Sequence, residues 1–146
     1  MTANIRPLHP SDQAEWRVLW QAYLEFYATT VPDHVYATTF ARLIDPDRPA
    51  QFAFVAEKDG RLIGLVHVIV HPHNWRIEDV CYLQDLYVAP DARGTGAGRA
   101  LIEAVYAAAD ANGTPFVYWL TQDFNTQARQ LYDRIAKVTP FIRYQR

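Results

Sequence analysis

The chain has 146 residues, half of them apolar, and a formal net charge of −2 at neutral pH. This size and composition predict one globular domain, residues 1–146, and the small charge provides no electrostatic drive toward nucleic acid. The single cysteine, Cys81, excludes an internal disulfide framework, and we find neither a secretory signal nor an apolar run of membrane-spanning length. We therefore expect a cytoplasmic protein that binds neither nucleic acid nor membranes.

The first part of the chain predicts a strand and two helices. Residues 3–8 are typical of a short strand. Ser11 or Asp12 then caps a helix whose aromatic and leucine residues repeat at helical spacing. A second helix is predicted over 33–45, where a following proline ends it.

The rest of the chain predicts three strands and then an alternation of helices and strands. The strands cover 52–57, 61–70 and 79–89, and the first two are joined by a hairpin turn. The later elements are a helix over 98–113, a strand over 115–121, a helix over 125–136 and a last strand over 139–146. The order β-α-α-β-β-β-α-β-α-β predicts an α/β fold with a mixed sheet and helices on both faces.

Three glycines at alternate positions, Gly94, Gly96 and Gly98, stand between a predicted strand and a predicted helix. Bare backbone at a helix N-terminus lets a phosphate approach free N–H groups and the positive end of the helix dipole. Arg93 and Arg99 add positive charge at the edges of this turn. We interpret the segment as a pyrophosphate-binding turn, with a plain tight turn as the alternative. The spacing fits neither the Rossmann nor the Walker pattern, which disfavours a nucleotide-dependent oxidoreductase.

The segment DLYVAPDARGTGAGRALI resembles the acetyl-CoA signature of the GCN5-related N-acetyltransferase (GNAT) superfamily. The R/Q-x-x-G-x-G/A pattern of that signature falls on Arg93, Gly96 and Gly98. The order of elements is also similar to the fold of this family over nearly the whole chain. The segment NTQARQLYDRIA resembles the second cofactor motif of the family through Asn125, Ala128, Leu131 and Tyr132.

The resemblance implies that strands 80–89 and 115–121 splay apart and that the pantetheine arm of acetyl-CoA enters the gap. Leu86, Tyr87 and Val88 would then supply the pantetheine contacts. The turn would hold the diphosphate. The cofactor-binding residues implied there and on the last helix are Arg93, Gly94, Thr95, Gly96, Ala97, Gly98, Arg99, Asn125 and Tyr132.

Acetyl transfer to an amine needs a route for proton removal and a proton donor for the departing thiolate. The resemblance assigns the donor to Tyr132, for which core packing is the alternative. The strand CYLQDLYV resembles that of diamine acetyltransferases, which carry a glutamate near the amine, but Gln84 stands at that position and cannot accept a proton. Asp85 points to the opposite face of a regular strand unless a bulge re-aims it. Glu78, Asp79 and a water chain are the alternatives to Asp85.

The acceptor pocket is expected from the first helices and the loop over 71–79. Its candidate substrate-binding residues are Tyr27, Gln84, Glu78 and Trp75. Tyr23, Phe26 and Tyr36 could also line it, although most of these aromatic residues are expected to be core. Three histidines, His67, His71 and His73, raise a zinc hypothesis. The absence of a recognised ligand spacing favours ordinary packing, with an acceptor-site role for one histidine as the alternative, so we predict no metal.

The end of the chain resembles the small branch of the family related to yeast histone and polyamine acetyltransferases. In that branch C-terminal strands help to build a dimer, and a lone last strand over 139–146 needs a partner edge, so we expect a homodimer. The whole pattern predicts an acetyl-CoA-dependent N-acetyltransferase that acts by direct attack. The acceptor is a polyamine, a small amine or amino acid, or a lysine side chain. The alternative is a non-catalytic acyl-CoA-binding sensor, which Gln84 leaves open.

Overall fold

A computed structural model describes residues 2–146, so Met1, the first residue of the predicted domain, lies outside it. The strands are β1 (Asn4–Pro7), β2 (Gln51–Lys58), β3 (Arg61–His71), β4 (Val80–Val88) and β5 (Val117–Tyr118). The helices are α1 (Gln13–Phe26), α2 (Asp33–Ile44), α3 (Ala97–Ala111) and α4 (Thr126–Ile135), and short 3₁₀ turns cover Pro10–Asp12 and Pro90–Ala92.

The five strands form one sheet in the order β1-β2-β3-β4-β5. The first four strands are antiparallel, whereas β4 and β5 are parallel and are connected through α3. This confirms the predicted α/β class with a mixed sheet. The parallel pair lies at the edge where a strand–helix–strand crossover follows the antiparallel hairpins.

Helices α1 and α2 cover one face of the sheet. The α1 residues Trp16, Leu19, Trp20 and Leu24 are buried, and their spacing places them on one side of the helix. The Trp16 and Trp20 rings stack with their centroids 5.3 Å apart. Their burial removes a large apolar area from water, which anchors α1 to β3 and positions the C-terminal turn of α1 at the sheet edge.

Helices α3 and α4 lie on the opposite face. The buried stripe of α3 is aliphatic and consists of Ala97, Leu101, Ile102, Val105 and Ala109. It packs on Val66 and Val68 of β3 and on Leu83 of β4. Helix α4 contributes half-buried side chains to the same cluster. Because α3 is held along its whole length, its first turn has a fixed position beyond the end of β4.

One predicted strand is too long and another is absent. The strand predicted over 115–121 is reduced to the two residues of β5, because β4 and β5 stop pairing after Tyr82. Residues 139–146 form no strand, although their apolar residues are typical of one. A strand needs a neighbouring backbone to bond, and the edge that β5 offers within one chain is two residues long.

Within residues 2–146, no helix combines the length and the apolar character needed to cross a bilayer.

Candidate active site

A cleft opens where the two parallel strands separate. β4 and β5 pair at Cys81 with Val117 and at Tyr82 with Tyr118, after which β4 continues alone to Val88. The cleft is lined by Tyr23, Tyr27, Leu83, Gln84, Leu86, Trp119, Leu120 and Tyr132. The strand backbone on this side of β4 has no β5 partner beyond Tyr82, so it is free to bond a ligand that enters the gap.

The glycine turn lies between the end of β4 and the start of α3. Gly94 and Gly96 have φ angles of 79° and 86°, in the left-handed region that favours glycine. Among the described residues, 2–146, none beyond the chain neighbours has an atom within 4 Å of a Cβ built at either position, so the space in front of this backbone is open. Gly96 precedes the first residue of α3, and the first helical bond runs from Ala100 N–H to the Gly96 carbonyl. The earlier amides of α3 therefore have no helical partner and are available to an anion.

The two arginines at the edges of the turn have different surroundings. Arg93 donates from Nε to the Val88 carbonyl at 3.2 Å, and its guanidinium lies 5.8 Å from the centre of the Tyr87 ring. Arg99 donates from Nε to Glu103 at 2.8 Å, one helical turn away. Both side chains are exposed, so both can approach an anion held by the turn. The Thr95 hydroxyl donates to the Ala92 carbonyl and closes the loop on itself.

Tyr132 reaches the cleft from α4. The Asn125 side chain caps this helix by accepting from the Ala128 N–H at 3.4 Å. The Tyr132 ring packs edge-on against Trp119, with centroids 5.4 Å apart. Burial, together with nearby Tyr27, raises the pKa of Tyr132 to about 12, so the phenol keeps its proton at neutral pH.

Asp85 is turned to the α1 side of the sheet by a β-bulge. In the pairing of β3 with β4, His67 faces Asp85 and Val68 faces Leu83, which leaves Gln84 as the extra residue. Gln84 is exposed and lines the cleft, whereas Asp85 is only 8% exposed. The bulge considered from the sequence is thus present at this position.

The Asp85 carboxylate ends a buried line of polar groups. The Nδ1 atom of His67 lies 2.8 Å from a carboxylate oxygen of Asp85, and the Trp16 indole donates to His67 Nε2 at 2.9 Å. Burial, followed by the charge of nearby Asp85, raises the pKa of Tyr23 on α1. The sequence did not indicate this line, because Trp16 and His67 are 51 residues apart and no local pattern joins them.

The remaining predicted residues are divided between the cleft and the surface. Tyr27 lines the cleft, and burial followed by the charge of Asp85 raises its pKa. Trp75 is 83% exposed and packs on His73, and Glu78 lies 3.7 Å from Arg76; neither lines the cleft.

The three histidines predicted to pack as ordinary side chains occupy separate environments. His67 is buried beside Asp85, His71 bonds the Tyr118 hydroxyl at 2.7 Å, and His73 contacts Trp75. Within residues 2–146, no group of three His, Cys, Asp or Glu side chains is arranged to hold a metal ion.

A mixed sheet whose parallel strands splay over a cleft, with an open glycine turn at the following helix, defines an acetyl-CoA-dependent N-acetyltransferase of the GNAT class. Residues 16–136 match the profile of the Acetyltransferase (GNAT) family, and the chain belongs to that family. This confirms the resemblance and the function predicted from the sequence.

Two relatives match almost the whole chain. The chain is 41% identical over 143 residues to D-amino-acid N-acetyltransferase HPA3 of Saccharomyces cerevisiae, covering 97% of this chain and 89% of the relative. It is 32% identical over 145 residues to the uncharacterized N-acetyltransferase YhfO of Bacillus subtilis, covering 97% of this chain and 95% of the relative.

Solved structures show the same fold. AAC(6')-Iy in complex with the bisubstrate analogue CoA-S-monomethyl-acetylneamine superposes with a TM-score of 0.87 at 20% identity, covering 100% of this chain and 98% of that one. A ribosomal-protein-alanine N-acetyltransferase from Brucella melitensis biovar Abortus 2308 superposes with a TM-score of 0.82 at 25% identity, covering 99% of this chain and 98% of that one.

Proposed function

We propose that this chain, as one domain, transfers the acetyl group of acetyl-CoA to the primary amine of a small acceptor by direct attack in a ternary complex. The observation that carries the proposal is the cleft between β4 and β5. Tyr132 reaches this cleft from one side and Tyr23 and Tyr27 from the other, with the free backbone of β4 between them. A thioester and an amine that meet in this cleft would both lie near tyrosine hydroxyl groups, which can donate or accept protons.

The coenzyme side depends mainly on backbone groups. We place the diphosphate at the turn from Arg93 to Arg99, where open glycine backbone, unpaired amides and the helix dipole favour an anion. The pantetheine arm would bond the backbone of residues 86–88.

Tyr132 is proposed as the proton donor. Acetyl-CoA supplies the thioester whose carbonyl carbon the amine attacks. As the carbon–sulfur bond breaks, the thiolate takes the Tyr132 proton, and the proton lost by the acylated nitrogen restores the phenol. A pKa of about 12 keeps this phenol protonated at neutral pH, so it has a proton to donate. Asn125 serves this step by fixing the first turn of the helix that carries Tyr132.

Asp85 is proposed as the group that receives the first proton of the acceptor. A protonated amine has no lone pair with which to attack, so it must lose a proton inside the cleft. Gln84 and Tyr27 line the cleft and contact the acceptor, but neither is a carboxylate. Trp75 and Glu78 lie farther out and would meet an acceptor that extends beyond the cleft.

The α-amino group of an amino acid is the first acceptor to test. The yeast relative carries the name D-amino-acid N-acetyltransferase, and its similarity covers nearly all of this chain. Polyamines and lysine side chains offer the same nucleophile with different surroundings. A panel should therefore contain D- and L-amino acids, a polyamine and a lysine peptide.

The test measures free thiol released from acetyl-CoA with each amine, and acetyl-CoA affinity by calorimetry. We expect release with at least one amine, and we expect Tyr132→Phe to lower kcat about 100-fold with the acetyl-CoA Kd changed less than about twofold. Tyr106→Phe is the matched control, because that hydroxyl bonds the Ile135 carbonyl and does not line the cleft. Binding of acetyl-CoA without thiol release from any amine would contradict the proposal and indicate a sensor.

We also propose that the C-terminal segment, residues 139–146, pairs with a second copy of the chain. Phe141, Ile142 and Tyr144 are between 76% and 89% exposed, which is unusual for large apolar side chains in an extended segment. Pairing with another backbone would bury them and bond their amides.

The oligomeric state tests this dimer directly. Light scattering of the intact chain should give a dimer, and removal of residues 139–146 should give a monomer. Phe141→Glu should weaken the dimer and Gln145→Glu should not, because the second change removes no apolar surface. An intact chain that is monomeric at micromolar concentration would contradict the proposal.

A further inference from the structure

We propose that the acceptor carries an aromatic ring beside its primary amine, as an aromatic amino acid does, and that this ring lies on a surface of the sheet next to the cleft. The inference rests on the proposed function, because it concerns the same amine in the same cleft. It adds the chemical class of the acceptor and the residues that would select it.

The surface, which we call the aromatic shelf, consists of Ile69, Tyr82, Phe116 and Tyr118. Ile69 pairs with Tyr82 across β3 and β4, and Tyr82 pairs with Tyr118 across β4 and β5. Their neighbours along the strands pack in or against the core between the sheet and α3; these are Val68, Val70, Cys81, Leu83, Val117 and Trp119. Because successive side chains of a strand point to opposite faces, the shelf lies on the face that α1 and α2 occupy.

The two helices on that face leave the shelf uncovered. Within residues 2–146, the core that α1 and α2 form with the sheet includes Leu65 and Tyr87 but none of the four shelf residues. Tyr82 and Tyr118 are half-buried, and Phe116 is 39% exposed. An apolar surface of this kind at the edge of a reaction cleft is available to a ligand.

The shelf begins where the cleft begins. Tyr82 and Tyr118 form the last pair between β4 and β5. Gln84, two residues farther along β4, and Trp119, the residue after Tyr118, both line the cleft. Two strand residues span at most about 7 Å. An amine beside Gln84 and a ring on the shelf can therefore belong to one small molecule.

The ring of Tyr118 is held from two sides. It stacks on the Tyr82 ring, with centroids 4.9 Å apart and planes 14° from parallel. The Tyr118 hydroxyl bonds His71 Nε2 at 2.7 Å, and His71 Nδ1 donates to the Pro72 carbonyl, also at 2.7 Å. The shelf is thus preorganised, so little binding energy is lost in ordering it around a ligand.

The two stacked rings present their edges to a ligand. Neighbouring strands lie about 4.8 Å apart, close to the separation of the Tyr82 and Tyr118 rings, so the rings stand upright on the sheet with their faces against each other. The edge of an aromatic ring is electropositive and its face is electronegative. These edges therefore attract the face of another ring and do not attract a cation.

The remaining ring of the shelf already interacts with a cation of the chain. The Arg76 guanidinium lies 4.2 Å from the centre of the Phe116 ring, and Glu78 lies 3.7 Å from Arg76. An aromatic face attracts a cation, but here that interaction is made within the chain, and the nearby carboxylate is paired as well. The shelf thus favours an uncharged aromatic group over the additional ammonium groups of a polyamine.

The intact chain tests the acceptor class. With thiol release as the readout, kcat/KM for the accepted enantiomer of phenylalanine should be at least about tenfold higher than for alanine or for spermidine. Equal values for phenylalanine and alanine, or a preference for spermidine or a lysine peptide, would overturn the inference while the proposed function stands. Release from no amine would contradict the proposed function itself.

Tyr118→Ala tests the shelf. We expect kcat/KM for phenylalanine to fall about tenfold, while kcat/KM for alanine changes less than about threefold. An acetyl-CoA Kd within about twofold of the intact chain reports that the variant is folded. An equal fall for the two amino acids would overturn the inference.

Tyr118→Phe separates the ring from its hydroxyl. This variant keeps the aromatic ring, so the preference for phenylalanine over alanine should stay within about twofold of that of the intact chain. Loss of the preference would show that the hydroxyl and not the ring carries it, which would overturn the inference.

Phe52→Ala is the matched control. Phe52 is also a half-buried strand aromatic with a ring neighbour, Phe54, whose centroid lies 5.8 Å away, but both pack against the core under α3. We expect Phe52→Ala to lower stability and to leave the ratio of phenylalanine to alanine turnover unchanged. The same change of ratio in Phe52→Ala and Tyr118→Ala would overturn the role of the shelf.

A second copy of the chain is the competing occupant of the shelf. Light scattering of Tyr118→Ala distinguishes the two occupants. An oligomeric state equal to that of the intact chain, together with a reduced preference for phenylalanine, supports the acceptor. A dimer that becomes a monomer while the preference is unchanged would show that the partner covers the shelf, and the inference would fail.

Discussion

The two faces of the sheet use different chemistry. The face under α3 has a fully buried core of alanine, cysteine and aliphatic side chains, and it borders the open backbone of the glycine turn and of β4. The face under α1 is aromatic, and the three polar or charged side chains that are buried within residues 2–146, Asp12, His67 and Asp85, lie in it or beside the start of α1. The proposed function therefore assigns the coenzyme mainly to main-chain groups and the acceptor to side chains.

Substitution of a glycine in the turn before α3 tests the role of the backbone in coenzyme binding, and we expect it to have the largest effect. Gly96→Ala places a side chain at a φ of 86° and in the open space before α3. We expect the acetyl-CoA Kd to rise at least tenfold, a cost of about 1.4 kcal/mol in binding, measured by calorimetry.

Gly113→Ala is the matched control. Gly113 has a φ of 72°, also with no atom within 4 Å of a Cβ, but it lies beyond the far end of α3. Both variants should lose about 1 kcal/mol of stability from the left-handed strain. Equal acetyl-CoA affinity in the two variants would show that the turn does not bind the coenzyme.

Replacing the buried carboxylate of Asp12 tests the contribution of side chains on the α1 face, and its expected effect is smaller. Asp12 is 6% exposed and accepts from Arg6 at 2.8 and 2.9 Å and from the His9 N–H at 2.7 Å. We expect Asp12→Asn to lower the free energy of unfolding at pH 7 by about 1–2 kcal/mol, measured by urea denaturation.

The pH dependence of the stability that Asp12 contributes follows from the same contacts. The hydrogen bond from Arg6 is the main cause that lowers the pKa of Asp12, against the opposing effect of burial. The folded-state pKa lies below the unfolded value of about 3.9, so the stabilisation is fully present above that pH and is lost as pH falls through the folded value. The gap between the intact chain and Asp12→Asn should therefore close below about pH 4. Asp110→Asn, at an exposed position, should show less than about 0.5 kcal/mol at either pH.

Local patterns predicted most of the elements and the coenzyme side. The helical spacing in α1, α3 and α4 and the glycine turn depend on residues a few positions apart, so they can be recognised in the sequence. The predicted length of β5 and the predicted strand over 139–146 were wrong, since the length of a strand is set by the partner that it pairs with.

The sequence by itself determined the order of the four helices and of the first five strands, the family and the position of the glycine turn, because contacts between near neighbours decide these features. The tertiary structure alone decided which way Asp85 points, that His67 bonds Asp85, and that Trp16 bonds His67. That arrangement requires a register between β3 and β4 with Gln84 bulged out, and a helix packed across the pair. Such contacts join segments 18 and 51 residues apart, and they exist only once the sheet and α1 have assembled.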